Sequence, residues 1–353
     1  MYAGTATASV AAAALLGAGT FLLSNTGTPV TDTTAAGHTV AGTHAVTARR
    51  TAAATGSGVR TASDPAPART GDPLVIAHRG ASVHAPENTL AAVDKADELG
   101  FDWVENDVQF TKDGVLVVIH DTDLKRTTDA EQVFPDRAPW AVKDFTAAEI
   151  ARLDAGSWFG PQYAGTRVPT LRQYLDRIGH NRQNLLLEIK SPEIYPGIER
   201  ATLRVLNEEG WLDSGHVRDR LVIQSFGADS VRKVHEQRPD VVTGFLGTPA
   251  VAELPEYAEF ADQINPTYTS VSGEYVAAVH ALKGPHHKTL RVNTWTVNDA
   301  AHARQVSGYG VDGIITNTPD VVRAAIGVRE AAGVRETAGA GKAAGVREAA
   351  GGT

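Results

Sequence analysis

Between residues 73 and 326 the chain alternates short apolar runs with amphipathic stretches, and this rhythm constrains its fold more than any other feature. Leu74–Ala77 reads as a buried strand running into polar residues. Asn88–Leu99 reads as a helix, capped by Asn88, striped by Leu90, Val93 and Leu99, and stopped at Gly100. Trp103–Phe110 and Val115–Ile119 read as strands joined by an Asp113-Gly114 turn. Further strands are expected at Leu185–Ile189, Leu221–Phe226, Val241–Leu246, Leu290–Val297 and Gly313–Thr316. Helical patterns fall between most of them, at Leu171–Ile178, Pro196–Glu209 and Ser230–Gln237. This order favours a parallel sheet. About 250 residues with some eight strands fit a closed (β/α)8 TIM barrel. An open doubly wound sheet competes, but no Gly-x-Gly-x-x-Gly opens a helix after the first strand, which weakens a dinucleotide-binding version. Residues 122–168 break the rhythm with Pro135, Pro139, Trp140, Trp158 and Phe159. They are expected to form a small insertion after the second barrel strand, beside the barrel mouth. Its one helical stretch, Thr146–Leu153, opens on a capping-box match, Thr146 with Glu149.

The two ends differ from this body. Residues 1–72 hold 19 Ala, 15 Thr and 9 Gly, with no Glu or Lys. Such a stretch cannot bury enough apolar surface to offset its chain entropy, so a signal-like segment and a disordered arm are expected. Val10–Leu23 looks like the hydrophobic region of a secretion signal, although no Lys or Arg comes before Arg49. The expected location is therefore secreted or cell-envelope associated. Residues 327–353 repeat Gly-Val-Arg-Glu at irregular spacing, which reads as a disordered tail. That leaves 73–326 as the folded domain.

Removing the ends uncovers an acidic body, with 25 basic and 35 acidic side chains against 33 and 41 in the whole chain. A general nucleic-acid binder needs a basic face, so no nucleic-acid partner is expected. The body has no apolar run of about 18 residues, so no membrane span is expected there. With no cysteine in the chain, disulfide scaffolds, thiolate metal sites and thiol nucleophiles are excluded.

In a closed barrel, the active site gathers at the C-terminal strand ends. The predicted strands carry polar residues there: His78-Arg79-Gly80, Glu105 with Asp107, His120-Asp121, Glu188 with Lys190, Gln224-Ser225-Phe226, and Trp295. Glu105 and Asp107 are two apart, so they share one face of a strand. Adjacent carboxylates repel, which raises a pKa or recruits a cation. Glu188 adds a third oxygen donor. Three carboxylates without cysteine suit a hard divalent cation, Ca2+ or Mg2+. Pairing of these acids with Arg or Lys is the competing reading. His78 and His120, on separate strands, can act as an acid/base pair near neutral pH. Arg79 and Lys190 can grip a phosphate or neutralise the acids. Phe226, Trp295 and Trp158 are candidates to line the rest of a pocket. Glu87-Asn88 reads at least as well as a helix start as it does a reactive element. His286-His287 falls in a Gly-Pro loop and reads as solvated.

The ordered set of motifs resembles the glycerophosphodiester phosphodiesterase family. It comprises His78-Arg79-Gly80, Pro86-Glu87-Asn88-Thr89, Glu105-x-Asp107-Val108, Thr111-x-Asp113-Gly114, His120-Asp121, Val168-Pro169-Thr170-Leu171, Glu188-x-Lys190, Trp295-Thr296-Val297-Asn298 and Asp312-Gly313-Ile314-Ile315-Thr316-Asn317. The resemblance implies a divalent-metal-dependent hydrolase that releases glycerol 3-phosphate and an alcohol from a small-molecule glycerophosphodiester. It implies acid/base roles for His78 and His120, metal binding by Glu105, Asp107 and Glu188, and phosphate contacts from Arg79 and Lys190. Two departures stand out. Asn106 lies between the metal acids, where a smaller or apolar residue is more usual. Arg172-Gln173 follows Leu171, where acids are usual. Neither is expected to touch the reacting groups. Two rival activities remain at this level. One is a lysophospholipase D or sphingomyelinase D-like phosphodiesterase, although no strongly amphipathic helix stands out. The other is a non-catalytic binder of envelope phosphodiester polymers, which would need no proton-transfer pair.

Overall fold

The computed structural model describes residues 71–327. Apart from residues 71, 72 and 327, the expectations for the N-terminal arm and the C-terminal tail lie outside the described residues. Nine strands form one sheet: β1 Leu74–Ala77, β2 Trp103–Phe110, β3 Leu116–Val118, β4 Asn184–Ile189, β5 Leu221–Ser225, β6 Val242–Leu246, β7 Gln263–Asn265, β8 Arg291–Thr294 and β9 Gly313–Thr316. β1 pairs in parallel with both β2 and β9, and β4 to β9 follow one another in parallel around the circle. This closes an eight-stranded parallel barrel. β3 is the exception: it turns back antiparallel on β2 and starts the insertion.

Eight helices complete the repeats: α1 Leu90–Glu98, α2 Leu171–His180, α3 Ile198–Glu208, α4 Ala228–Gln237, α5 Leu254–Tyr257, α6 Gly273–His280, α7 Ala300–Gly308 and α8 Pro319–Ile326. α2 shows how the sequence builds them. Leu171, Tyr174, Leu175 and Ile178 form its buried stripe at helical spacing. Thr170 and Gln173 close a capping box at its start. Arg172 pairs with Glu208 and Glu209 beside α3. The Arg172-Gln173 departure is thus accounted for by helix capping and packing. No helix among the described residues is long and apolar enough to cross a membrane.

Strand alternation sorts side chains into two layers. Val104 and Val108 of β2 face outward into the main core beneath the helices. Trp103 faces inward with Ile76, Leu186, Val222 and Ile315. The insertion has its own core, in which Leu124, Val142, Phe145, Ile150 and Leu153 are buried. The capping box at Thr146 and Glu149 is formed, over a helix limited to Ala147–Ile150.

Three local expectations need correction. β7 was not anticipated; Ile264 is its only apolar residue. Its inner residues are polar and paired, Asn293 Nδ2 donating to Gln263 Oε1 at 2.7 Å and Asn265 Nδ2 to Gln224 Oε1 at 2.9 Å. The cap of α1 is Thr89, whose Oγ1 accepts from the Ala92 N–H at 3.3 Å. Asn88 instead takes φ +58° and turns its side chain to Asp107. His286 is not simply solvated: its Nδ1 lies 2.9 Å from Asp262.

Candidate active site

The site grows from strand register. β2 and β4 pair so that Asp107 lies beside Glu188, with Glu105 two residues back on the same inner face. Ligand oxygens of Glu105, Asp107 and Glu188 all lie within 4.8 Å of one another, and all three residues are buried. Burial drives the Glu105 carboxyl well up, reinforced by Asp107 and Glu188. Burial and Asp107 push Glu188 up to about 8, despite Lys190. Burial would raise Asp107 as well, but Arg79 and Lys190 outweigh it and hold this carboxyl well below its usual range.

Cations cover the cluster from one side. Arg79 donates its backbone N–H to Glu105 at 2.9 Å, and its Nε lies 3.4 Å from Asp107 Oδ2. Lys190 Nζ donates to Glu188 Oε1 at 2.8 Å and lies 3.6 Å from Asp107 Oδ1. Asn88 Nδ2 donates to Asp107 Oδ2 at 2.8 Å. Asp107 Oδ1 is left buried without a hydrogen-bond partner. The turn that carries Arg79 needs Gly80, at φ +80°, where a Cβ would lie 2.6 Å from the α1 backbone at Ala92.

Two histidines flank the acids. His78 Nδ1 lies 2.6 Å from Asn317 Oδ1, which makes this nitrogen the donor and leaves Nε2 as the acceptor. Asn317 is held in turn by its N–H to Asn298 Oδ1 at 2.9 Å. Burial, with Arg79 adding to it, lowers His78 to about 4. His120 Nδ1 lies 2.7 Å from Asp121 Oδ1. Gln109 Nε2 fixes the backbone there, donating to the carbonyls of Ile119, His120 and Asp121. Burial also lowers His120, against the pull of Asp107.

Phe226 and Trp295 meet edge to face at 5.4 Å and form the apolar wall. Trp295 Nε1 donates to the Asn265 carbonyl at 2.8 Å, and Lys190 Nζ stands 5.3 Å from the centre of the Phe226 ring. These residues enclose a pocket of about 80 Å³, lined by His78, Arg79, Glu105, His120, Glu188, Lys190, Gln224, Phe226 and Trp295, with Asp107 buried beside it. Trp158 does not line it and packs on Phe159 within the insertion. A larger cavity of about 530 Å³ opens among the N-terminal strand ends, and none of these residues lines it.

Three residues at the site were given no role of their own from sequence, and a fourth, Glu87, read at least as well as a helix start. Glu87 accepts from Arg79 Nη1 at 2.7 Å, so it is more than a helix start. Asn317, Asn298 and Gln109 support the two histidines. The only sequence signal for the two asparagines was their place in the ordered motifs.

A closed barrel with acids, cations and two histidines converging at its C-terminal mouth defines a (β/α)8-barrel enzyme. Residues 78–321 match the Glycerophosphoryl diester phosphodiesterase family. The chain belongs to this family and is a phosphoric diester hydrolase with glycerophosphodiester phosphodiesterase function. It is 36% identical over 262 residues to a glycerophosphodiester phosphodiesterase of Bacillus subtilis (strain 168), covering 70% of this chain and 84% of that relative. A glycerophosphodiester phosphodiesterase of Caldanaerobacter subterraneus subsp. tengcongensis is 38% identical over 252 residues, covering 70% and 96%. A solved Oleispira antarctica phosphodiesterase, in complex with the product sn-glycerol-3-phosphate, superposes with a TM-score of 0.62 at 28% identity, over 73% of this chain and 98% of that one.

Proposed function

We propose that the pocket hydrolyses glycerophosphodiesters to glycerol 3-phosphate and an alcohol, using a divalent cation held by Glu105, Asp107 and Glu188. The observation that carries this reading is the convergence of three buried carboxylates, with Asp107 Oδ1 accepting no hydrogen bond and only the Lys190 charge 3.6 Å away. A buried carboxylate oxygen that accepts no hydrogen bond is costly, and a hard cation with oxygen ligands satisfies it. Ca2+ and Mg2+ both suit this donor set. When bound, the cation supplies Lewis-acid polarisation of a phosphoryl oxygen.

The chain's own groups account for the rest. Arg79 offers its guanidinium to the non-bridging oxygens, and Lys190 adds a second positive charge. His78, neutral at pH 7 with Nε2 unprotonated, takes a proton from the attacking hydroxyl. That hydroxyl belongs either to water or to the glycerol C2 position of the substrate. As the bond from phosphorus to the alcohol oxygen breaks, His120 gives a proton to that oxygen; Asp121 and Asp107 favour its charged imidazole against the burial and the cations that lower it. Phe226 and Trp295 face the alcohol. Because Phe226 is 47% exposed at the mouth, lysolipids are a second substrate class to test. We also infer export, on the strength of the apolar run Val10–Leu23; cell fractionation with N-terminal sequencing tests it.

The test of the reaction measures glycerol 3-phosphate released from glycerophosphocholine and glycerophosphoethanolamine, after chelation and again after adding Ca2+ or Mg2+. Loss on chelation and recovery with cation support the reading. Full activity in the chelated protein removes the cation. Release only from micellar lysolipid moves the substrate to that class.

A further inference from the structure

One guanidinium in the insertion joins the two halves of the site. Arg126 Nε donates to Asp121 Oδ2 at 2.6 Å, and Nη2 donates to Asp121 Oδ1 at 3.0 Å. Its other edge faces Glu87: Nη1 donates to Oε2 and Nη2 to Oε1, both at 2.8 Å. Glu87 Oε1 also accepts from Arg79, and Asp121 Oδ1 also holds His120 Nδ1. A continuous chain therefore runs from Arg79 through Glu87, Arg126 and Asp121 to His120. The turn carrying Arg126 is anchored by Leu124, which is fully buried in the insertion core and donates its N–H to the Trp140 carbonyl at 3.0 Å. Without Arg126, two carboxylates would face each other with only Arg79 and His120 to balance them. A lysine cannot replace it, because only the planar fork serves two carboxylates along two edges.

We propose that Arg126 is a positioning residue through which the insertion sets the placement of His120 relative to Arg79. The inference rests on the reading of His120 as a proton-transfer group and Arg79 as a phosphate contact. It predicts that the charge of Arg126 is not enough and its shape is needed.

The test compares Arg126→Gln, Arg126→Lys, His120→Ala and Arg126→Gln/His120→Ala in the full chain, with glycerophosphocholine and saturating divalent cation, alongside thermal midpoints. Arg126→Gln should lower kcat about 10- to 100-fold, the scale of a small misplacement of reacting groups. Arg126→Lys should stay impaired. In the His120→Ala background, Arg126→Gln should lower kcat much less, because the group it positions is already gone. A kcat for Arg126→Gln within about twofold of the parent, or an equal fold-loss in both backgrounds, overturns the inference. Full activity of Arg126→Lys overturns the requirement for a fork. Near-normal turnover of His120→Ala instead overturns the reading beneath it, and is told apart because Arg126 is then unchanged. If Arg126→Gln does not fold, Glu87→Gln cuts the same chain on the far side of Arg126 without touching His120 and is judged by the same comparison.

Discussion

Asn106 offers a sharp test of the two-layer reading of β2. It sits between Glu105 and Asp107 but faces the opposite way, between Val104 and Val108 in the apolar layer under the helices. It is fully buried, and neither its Nδ2 nor its Oδ1 has a hydrogen-bond partner. An unmade hydrogen bond at a buried polar group costs about 1–3 kcal/mol, and apolar replacement recovers much of it. Valine is similar in size, matches its two outward neighbours and suits a strand. Allowing for imperfect packing, Asn106→Val should raise stability by about 2 kcal/mol. For a domain of this size that corresponds to a thermal midpoint about 4–8 °C higher. Thermal melts at a fixed scan rate and urea titrations check it, with the urea slope unchanged. Glycerol 3-phosphate release should stay near the parent level, because the side chain points away from the acids. A lower midpoint would mean that the amide is satisfied in its layer. Higher stability with lost turnover would mean that the residue supports the acids after all.

Other outcomes follow from the same geometry. His78→Ala and His120→Ala should each lower kcat about 10²- to 10⁴-fold, with the thermal midpoint little changed; near-normal turnover in either variant sinks that residue's assignment. Cation binding should release protons at pH 7, because Glu188 is held at about 8 and must ionise to bind. The Glu188 share of the release should fade as the pH rises through about 8, while Glu105, which burial also drives well up, goes on contributing; calorimetry in two buffers of different ionisation enthalpy reads it. A release that does not change with pH contradicts the assignment of Glu188. Gly80→Ala should cost more than about 2 kcal/mol, since it adds positive-φ strain to a clash with backbone atoms. A denaturant midpoint like the parent's would show that the Arg79 turn can move away from α1.

Much of this was legible because strands write their facing into the sequence. In β2, the order Trp103, Glu105, Asp107 and Gln109 on one face against Val104 and Val108 on the other is a period-two signal. It predicted that Glu105 and Asp107 share a face, as they do. The same logic failed at β7. Gln263 and Asn265 line the barrel interior, where they pair with Asn293 and Gln224 in place of apolar packing, so the pattern that marks a strand is missing. At Asn88 a local rule was outbid by a distant partner. Asn is a good helix cap, but its side chain is drawn to Asp107, and Thr89 takes over the cap.

The Arg126 contacts were out of reach for a different reason. Glu87 and Arg126 are 39 residues apart, and nothing in their local sequence pattern marks them as partners. They meet because the insertion buries Leu124 in a core of its own and so points the next turn at the barrel mouth. A barrel strand fixes a side chain by register, whereas an insertion must fix one by packing. Its composition, with Trp140, Phe145 and Ile150 in place of a polar loop, is what such packing requires. The rigid strands hold the acids, Arg79 and Lys190. The self-packed insertion holds the groups around His120. The relative placement of the two sets then depends on the few contacts that bridge them, and Arg126, held on Asp121, makes two of these, both to Glu87.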